Sequence, residues 1–370
     1  HDESVVVDHR SFDRGCVNCH TFLNNSTEKM LIQMRSGRKD YGHGMLLVED
    51  GMVRKVDTRT EFTPRPAAFA SWHPNGRLVA FSMNRVRQFF HSARTEVRDG
   101  VDLDSDLAVY LLDSGTVSST AGIADPDWLE TWPAWSPDGR HLYYCRAPVL
   151  WSDRHKAPPR DYEHALYDLM RISYDPKAGT WGKPETVLSA SQVGLSITLP
   201  RLSPDGRFLA FCMSQYSTFP AFQPSSDLYL MNMRTGQYTP MACNSDRSES
   251  WHSWSSNSRW LVFSSKRDDG LFMRAYFTYV DENGTAYKPF VLPQKDPAFY
   301  DSCIKLYQIP ELISRPIPVR GERIAAAIRS DRWEHVGPPV TSATPQAGRP
   351  AGGGATYLHP DVGPAVPQRE

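Results

Sequence analysis

Residues 15–20 read Gly-Cys-Val-Asn-Cys-His, and this run holds the clearest chemistry in the chain. C-x-x-C-H is the spacing for covalent haem attachment. Two thiols one short turn apart reach the two vinyl groups of one haem, and the adjacent imidazole meets the iron as proximal ligand. Cys16 and Cys19 are therefore assigned as thioether positions, and His20 as the proximal ligand, of one covalent haem c. Zinc would want four ligands, commonly a second Cys pair. A thioredoxin-type dithiol would lie in a βαβ unit. Neither a second pair nor such a unit is evident in the sequence.

Candidates for the sixth iron position follow closely. Asn25-Ser26-Thr27-Glu28 has the form of a capping box, Lys29 to Arg35 reads as a short helix, and Gly37 suits its stop. On such a helix Met30 and Met34 share one face. A Met thioether raises the potential relative to bis-His ligation. Met34 is the first candidate and Met30 the next, with His43 and Met45 as rivals. The competing assignment makes both helical methionines apolar gap-fillers against the haem face.

The elements that must position this segment are repeats. Ser71 to Phe81, Ala134 to Tyr144, Arg201 to Phe211 and the degenerate Ser253 to Phe263 share one pattern. Each reads as a strand, a tight turn of the Ser-Pro-Asp-Gly-Arg type and a second strand. The turn positions 76, 139, 206 and 258 recur at intervals of 52–67 residues, a period expected of propeller blades. Asp106–Tyr110, Asp168–Ile172 and Asp227–Met231 read as the next strand of each unit. The insertions between, roughly 85–105, 146–167 and 214–226, are expected to be loops that crowd together on one face. Met45 to Val56 forms a further hairpin around Asp50-Gly51, and residues 298–318 are expected to supply closing strands.

The Trp-Ser-Pro-Asp-Gly-Arg hairpin with a following aromatic strand resembles the TolB-like β-propeller repeat, over roughly residues 44 to 315. A CxxCH segment just before such repeats is similar to secreted bacterial cytochrome-like propellers. That resemblance implies an exported haem protein, periplasmic or extracellular, and leaves the activity open. The expected fold is all-β: a five- or six-bladed propeller, closed by pairing N- and C-terminal strands. It carries a short, partly helical haem-binding segment at the N-terminus (residues 1–43). The propeller spans 44–318, and an extended or partner-wrapping tail spans 319–370.

Composition agrees with that class. The 370 residues include 10 Trp, 16 Tyr, 16 Phe, 29 Pro and 24 Gly, which favours short strands and tight hairpins. A net charge of -1, from 41 basic and 42 acidic residues, gives no drive toward nucleic acid. No apolar run approaches the roughly 18 residues of a membrane span, so any membrane association is expected to be peripheral or through a lipid anchor. The chain starts at His1 without a basic-then-apolar leader, which fits removal of an export signal or an internal start. The tail beyond about Gly337 is rich in Pro, Gly and Ala and forms no core of its own.

The remaining polar residues have blander readings. Cys145 and Cys212 fall six residues after the repeat glycine, where Ser82 and Ser264 stand in the other repeats, so a small packing residue is expected there. His73 and His141 read as surface residues, and the pairs Arg54-Lys55 and Lys266-Arg267 as solvated faces. His252 and Glu130, near the propeller centre, read as satisfied polar residues more than as a metal site. No G-x-S-x-G, G-x-x-x-x-G-K-[ST] or H-E-x-x-H motif occurs.

The expected function is a monohaem electron-transfer and docking subunit that partners other redox or cytochrome subunits. The rivals are a haem enzyme, such as a peroxidase or haem-linked dehydrogenase working on the propeller face, and a binding scaffold with structural haem.

Overall fold

A computed structural model describes residues 4–12, 15–35, 43–92, 94 and 96–337. The chain is mostly β and forms five sheets. Sheet I holds β1 (Cys16–Leu23), β2 (Ser26–Arg35), β3 (His43–Glu49) and β4 (Met52–Asp57). Sheet II holds β5 (Ala70–Trp72), β6 (Leu78–Phe90), β7 (Arg98–Leu111) and β8 (Thr116–Ser118). Sheet III holds β9 (Trp128–Trp135), β10 (His141–Pro148), β11 (Asp168–Asp175) and β12 (Thr180–Leu188). Sheet IV holds β13 (Ser196–Leu202), β14 (Phe208–Ser214), β15 (Asp227–Asn232) and β16 (Tyr238–Pro240). Sheet V holds β17 (Glu249–Trp254), β18 (Trp260–Ser265), β19 (Arg274–Tyr279) and β20 (Phe290–Val291). A last short strand, β21 (Glu334–His335), joins sheet I by pairing parallel to β4. The first strands of successive sheets, β1, β5, β9, β13 and β17, meet in sequence order, an arrangement compatible with a propeller.

The repeat turns explain the hairpins. Gly76, Gly139 and Gly206 take φ of 68–71°, and Ser258 takes 58° where the fourth repeat lacks Gly. In the second repeat Ser136 Oγ donates to Asp138 Oδ1 while accepting from the His141 N–H, and the Asp carboxylate accepts from the Arg140 N–H. Ser203 with Asp205 and Ser255 with Asn257 repeat those bonds. In the first repeat His73 takes the serine's place. Its Nδ1 accepts from the Asn75 N–H, and its Nε2 lies 3.0 Å from the Gly139 carbonyl. His73 is thus buried between sheets II and III, not a surface residue, because it ties one repeat turn to the next. Ser82, Cys145, Cys212 and Ser264 are all fully buried, as the expected small packing residues.

Several expectations need correction. Residues 26–35 form β2, not a capped helix. Asn24 and Asn25, with φ of 50° and 60°, make a two-residue hairpin turn from Leu23 to Ser26, and the backbone is committed to the ladder. Strands from both sides of residue 43 share one sheet, since Lys29 to Arg35 of β2 pair with His43 to Glu49 of β3. The segment 85–105 is mostly strand, because β6 and β7 continue as one long hairpin. Residues 298–318 contribute a short helix, Phe299–Ser302, but no closing strand. The late strand that joins a sheet is β21, beside β4 of sheet I, and before it Val319 and Ile324 and Ile328 of the helix Gly321–Arg329 pack against Met30, Ile32 and Leu46 of that sheet. Residues 319–337 therefore belong to the core; the tail from 338 lies outside the described residues. Lys55 is buried with its ammonium on the Ile328 carbonyl at that helix's end, 4.3 Å from the Trp333 ring centroid. Lys266 is buried in an ion pair with Glu96. Neither basic pair is a simple solvated face.

The three insertions do crowd together. Asp99, on β7, is buried and accepts from Tyr162 Oη at 3.1 Å, Tyr216 Oη at 3.0 Å and the Gly100 N–H at 2.8 Å, with His91 Nε2 3.0 Å away. One carboxylate thus holds residues from all three insertions.

The candidate cofactor pocket

A shared irregularity in the first strands builds the site. Between Thr131 and Ala134, Thr198 and Arg201, and Ser250 and Ser253, each first strand carries one residue more than the strand opposite. The extra residue is a β-bulge, which re-aims the side chains around it. Trp132, Leu199 and Trp251 sit in these bulges with φ of 57°, 54° and 50°. Sheet I has the same device: Val17 faces Met34 and His20 faces Ile32, so the CxxCH run straddles the bulge of β1. Cys19 holds the place of Pro133, Pro200 and His252, and His20 the place of Ala134, Arg201 and Ser253.

The result is a pocket of about 340 Å³ whose wall includes Cys19 and His20. Phe69, Phe219, Phe222 and Trp251 supply aromatic walls, and Met34, Gln33 and His43 line it from β2 and β3. Trp132 backs the wall, stacked on Phe69 at 3.6 Å between ring centroids and edge-on to Trp251 at 5.2 Å. Of the four candidates for the sixth position, Met34 and His43 reach the pocket. Met30 lies in the core beneath the C-terminal helix, and Met45 packs with Trp72 and Phe81 between sheets I and II. Met30 and Met34 do share a face, but as alternate positions of a strand.

Neither Cys16 nor Cys19 is in a disulfide, and both are partly exposed. Burial pushes the Cys19 thiol up to about 12, with Arg201 pulling the other way. Burial also pushes His20 down to about 4, so its imidazole is neutral at physiological pH with a lone pair to offer. The Cys19 thiol, a neutral imidazole and a thioether line this aromatic pocket, with Cys16 three residues away on the same strand, and these are donor types that haem c uses. Among the described residues no group of three or more His, Cys, Asp or Glu is arranged to hold a bare metal ion. His252 and Glu130 are buried and partly satisfied: Glu130 Oε1 accepts from the Asp125 N–H and His252 Nδ1 lies 3.8 Å from Cys212 Sγ, while Glu130 Oε2 and His252 Nε2 have no partner.

Two charged groups absent from the sequence reading stand beside the motif. Arg201 reaches the pocket's narrow end. Glu311 accepts from the Phe22 N–H at 3.3 Å, and burial raises its carboxyl to about 7 against the opposing pull of Arg201. The raised value has a defined sign for stability. Below pH 4.5 the group is protonated folded or unfolded and costs nothing. Between 4.5 and 7 the unfolded chain ionises first, so Glu311 lowers stability as pH rises, and the deficit is constant above 7. Glu311→Gln should therefore leave stability unchanged at pH 4 and raise it by about 1–3 kcal/mol at pH 8. Urea denaturation of both chains at the two pH values checks this, and an equal change at both would contradict it.

No family profile and no curated protein sequence matches the chain. Among solved structures it is similar to an oligogalacturonate lyase in complex with manganese, at 15% identity and TM-score 0.43, covering 74% of this chain and 65% of that one. It is similar to the Dos1 propeller at 13% identity and TM-score 0.37, covering 66% of each chain. Hydrazine synthase of Kuenenia stuttgartiensis is similar at 11% identity and TM-score 0.40, covering 73% of this chain and 65% of that one. The chain thus spans 65–66% of the length of these structures.

Proposed function

We propose that the chain is a monohaem c-type cytochrome built into a TolB-like propeller of five blades. It works outside the cytoplasm as an electron-transfer and docking subunit of a larger redox assembly. The observation that supports this most is the bulge of β1, which brings Cys19 and His20 to one aromatic-walled pocket with Met34 and His43. A haem bound there supplies one-electron transfer at its iron. The residues of the chain would hold and shape it. Cys16 and Cys19 would supply the two thiols for thioether attachment to its vinyl groups, an addition that needs no oxidant. His20, kept neutral by burial, would offer its lone pair as proximal ligand. Phe69, Phe219, Phe222 and Trp251 would wall the ring off from water. The face where the insertions meet around Asp99 offers a rigid surface for a redox partner.

The test is to express the full chain with a c-type haem maturation system and record intact mass and the pyridine haemochrome spectrum. The expected result is one covalently bound haem per chain, low-spin and reversibly reducible. A mass equal to the bare polypeptide overturns the haem assignment. Rapid carbon monoxide binding to the ferrous form overturns the electron-transfer role in favour of an enzyme.

A further inference from the structure

Beyond its aromatic walls, the pocket narrows to a cleft of about 10 Å³, the space of one water-sized group. Gln33, Trp251 and Arg201 all line that cleft. Three features make it unusual. Gln33 is 4% exposed, and its Nε2 has no hydrogen-bond partner. Trp251 Nε1 is likewise buried without one. Arg201 donates from Nη1 to the carbonyl of its neighbour Pro200 and forms no ion pair among the described residues. Burial lowers the Arg201 pKa, with Glu311 the first of the groups that oppose this. Glu311 is itself partly protonated near neutral pH and supplies an incomplete counter-charge.

A buried donor without an acceptor is costly, because it has given up its water and gained nothing in return. Two such donors, Gln33 Nε2 and Trp251 Nε1, beside the Arg201 guanidinium form a site that an anionic acceptor would complete. A carboxylate offers two oxygens and about four lone-pair positions, which suits a guanidinium, an indole N–H and an amide together. The wider pocket above is walled by flat aromatic side chains, so the rest of the ligand is flat and apolar.

We propose that Arg201, Trp251 and Gln33 form a carboxylate-binding floor for a flat, apolar ligand in this pocket. The ligand's identity rests on the haem reading: a propionate of the attached haem is one source, and a free aromatic carboxylate is the other. The site itself does not depend on that reading.

The probe is benzoate, titrated into the full chain expressed without haem maturation and followed by tryptophan fluorescence and calorimetry. Saturable binding is expected, weakened at least tenfold by Arg201→Gln and by Trp251→Phe, which removes the donor and keeps an aromatic ring. Wild-type protein that binds no benzoate overturns the proposal. So does binding left unchanged in both variants, with their folding verified by circular dichroism. In haem-loaded protein, loss of benzoate binding assigns the floor to a propionate, and retained binding assigns it to a free carboxylate. Should no thioether form at all while the haem-free chain still binds benzoate, the haem reading fails and this site stands.

Discussion

A chain carrying Cys16→Ala and Cys19→Ala is expected to lose covalent haem completely, with no haem-stained band after denaturing electrophoresis, and to keep its fold. The two thiols lie on one strand whose register with β2 is set by backbone hydrogen bonds, so removing them leaves the ladder intact. Both side chains are partly exposed, which limits the packing cost of truncation. The companion measurement concerns the sixth position. In haem-loaded protein, Met34→Ala should abolish a near-infrared methionine-to-iron charge-transfer band, whereas His43→Ala should leave it. Both residues line the pocket, so geometry admits either, and the band distinguishes them. A band that survives Met34→Ala and vanishes in neither variant would remove both from the coordination sphere. A mutated cysteine pair that still holds haem through denaturation would sink the attachment assignment.

Trp132→Ala is expected to destabilise the protein by about 3–5 kcal/mol, the range for deleting a fully buried aromatic. Trp132 is completely buried where sheets II, III and V meet. Its ring stacks on Phe69 and stands edge-on to Phe219 and Trp251 at 6.1 and 5.2 Å. Its Nε1 donates to Thr218 Oγ1 at 2.9 Å, so truncation also strands a buried hydroxyl. The residue's positive φ means that Ala keeps the backbone strain while losing the packing that compensates it. Trp132→Gly would relieve part of that strain and so should cost less than Ala at this position, the reverse of the usual order. Guanidinium denaturation of the three chains gives the comparison, and a loss below about 1 kcal/mol for Trp132→Ala would show that the bulge is not held by its side chain.

The repeated hairpins were legible because turn chemistry is local. Pro, Asp and Gly dictate their own dihedrals, and the two strands that follow are forced by the turn. The Leu-Ala-Phe side of each hairpin was readable for the same reason. The helix expected at 29–35 failed because Met30, Ile32 and Met34 alternate as well at period two as Met30 and Met34 do at period four, and the Asn24-Asn25 turn decided between them. The cysteine and histidine expectations rest on spacing alone. The groups around them did not show in the sequence. Arg201 and Trp251 reach the pocket from sheets IV and V, and Glu311, from the segment after them, lies near enough to Arg201 to feel its charge. Their signal existed, as a recurrent Thr/Ser-x-Pro/His run beginning four residues ahead of Trp135, Leu202 and Trp254, but it becomes meaningful only once the bulge is seen. His73 and Lys55 were misread because their partners, the Gly139 carbonyl and the helix end at Ile328, come from far along the chain.

Sheet I is completed by residues from both halves of the sequence: β1–β4 come first, and the helix at 321–329 with β21 comes last. During synthesis, then, the strand bearing Cys16 and Cys19 emerges early yet stays uncovered until nearly all of the polypeptide has been made. In the folded chain burial pushes the Cys19 thiol up to about 12, so little of it is thiolate at neutral pH. Were haem attached to that strand, as proposed, the attachment would fall before this closure. A chain truncated before residue 319 would leave the window permanently open.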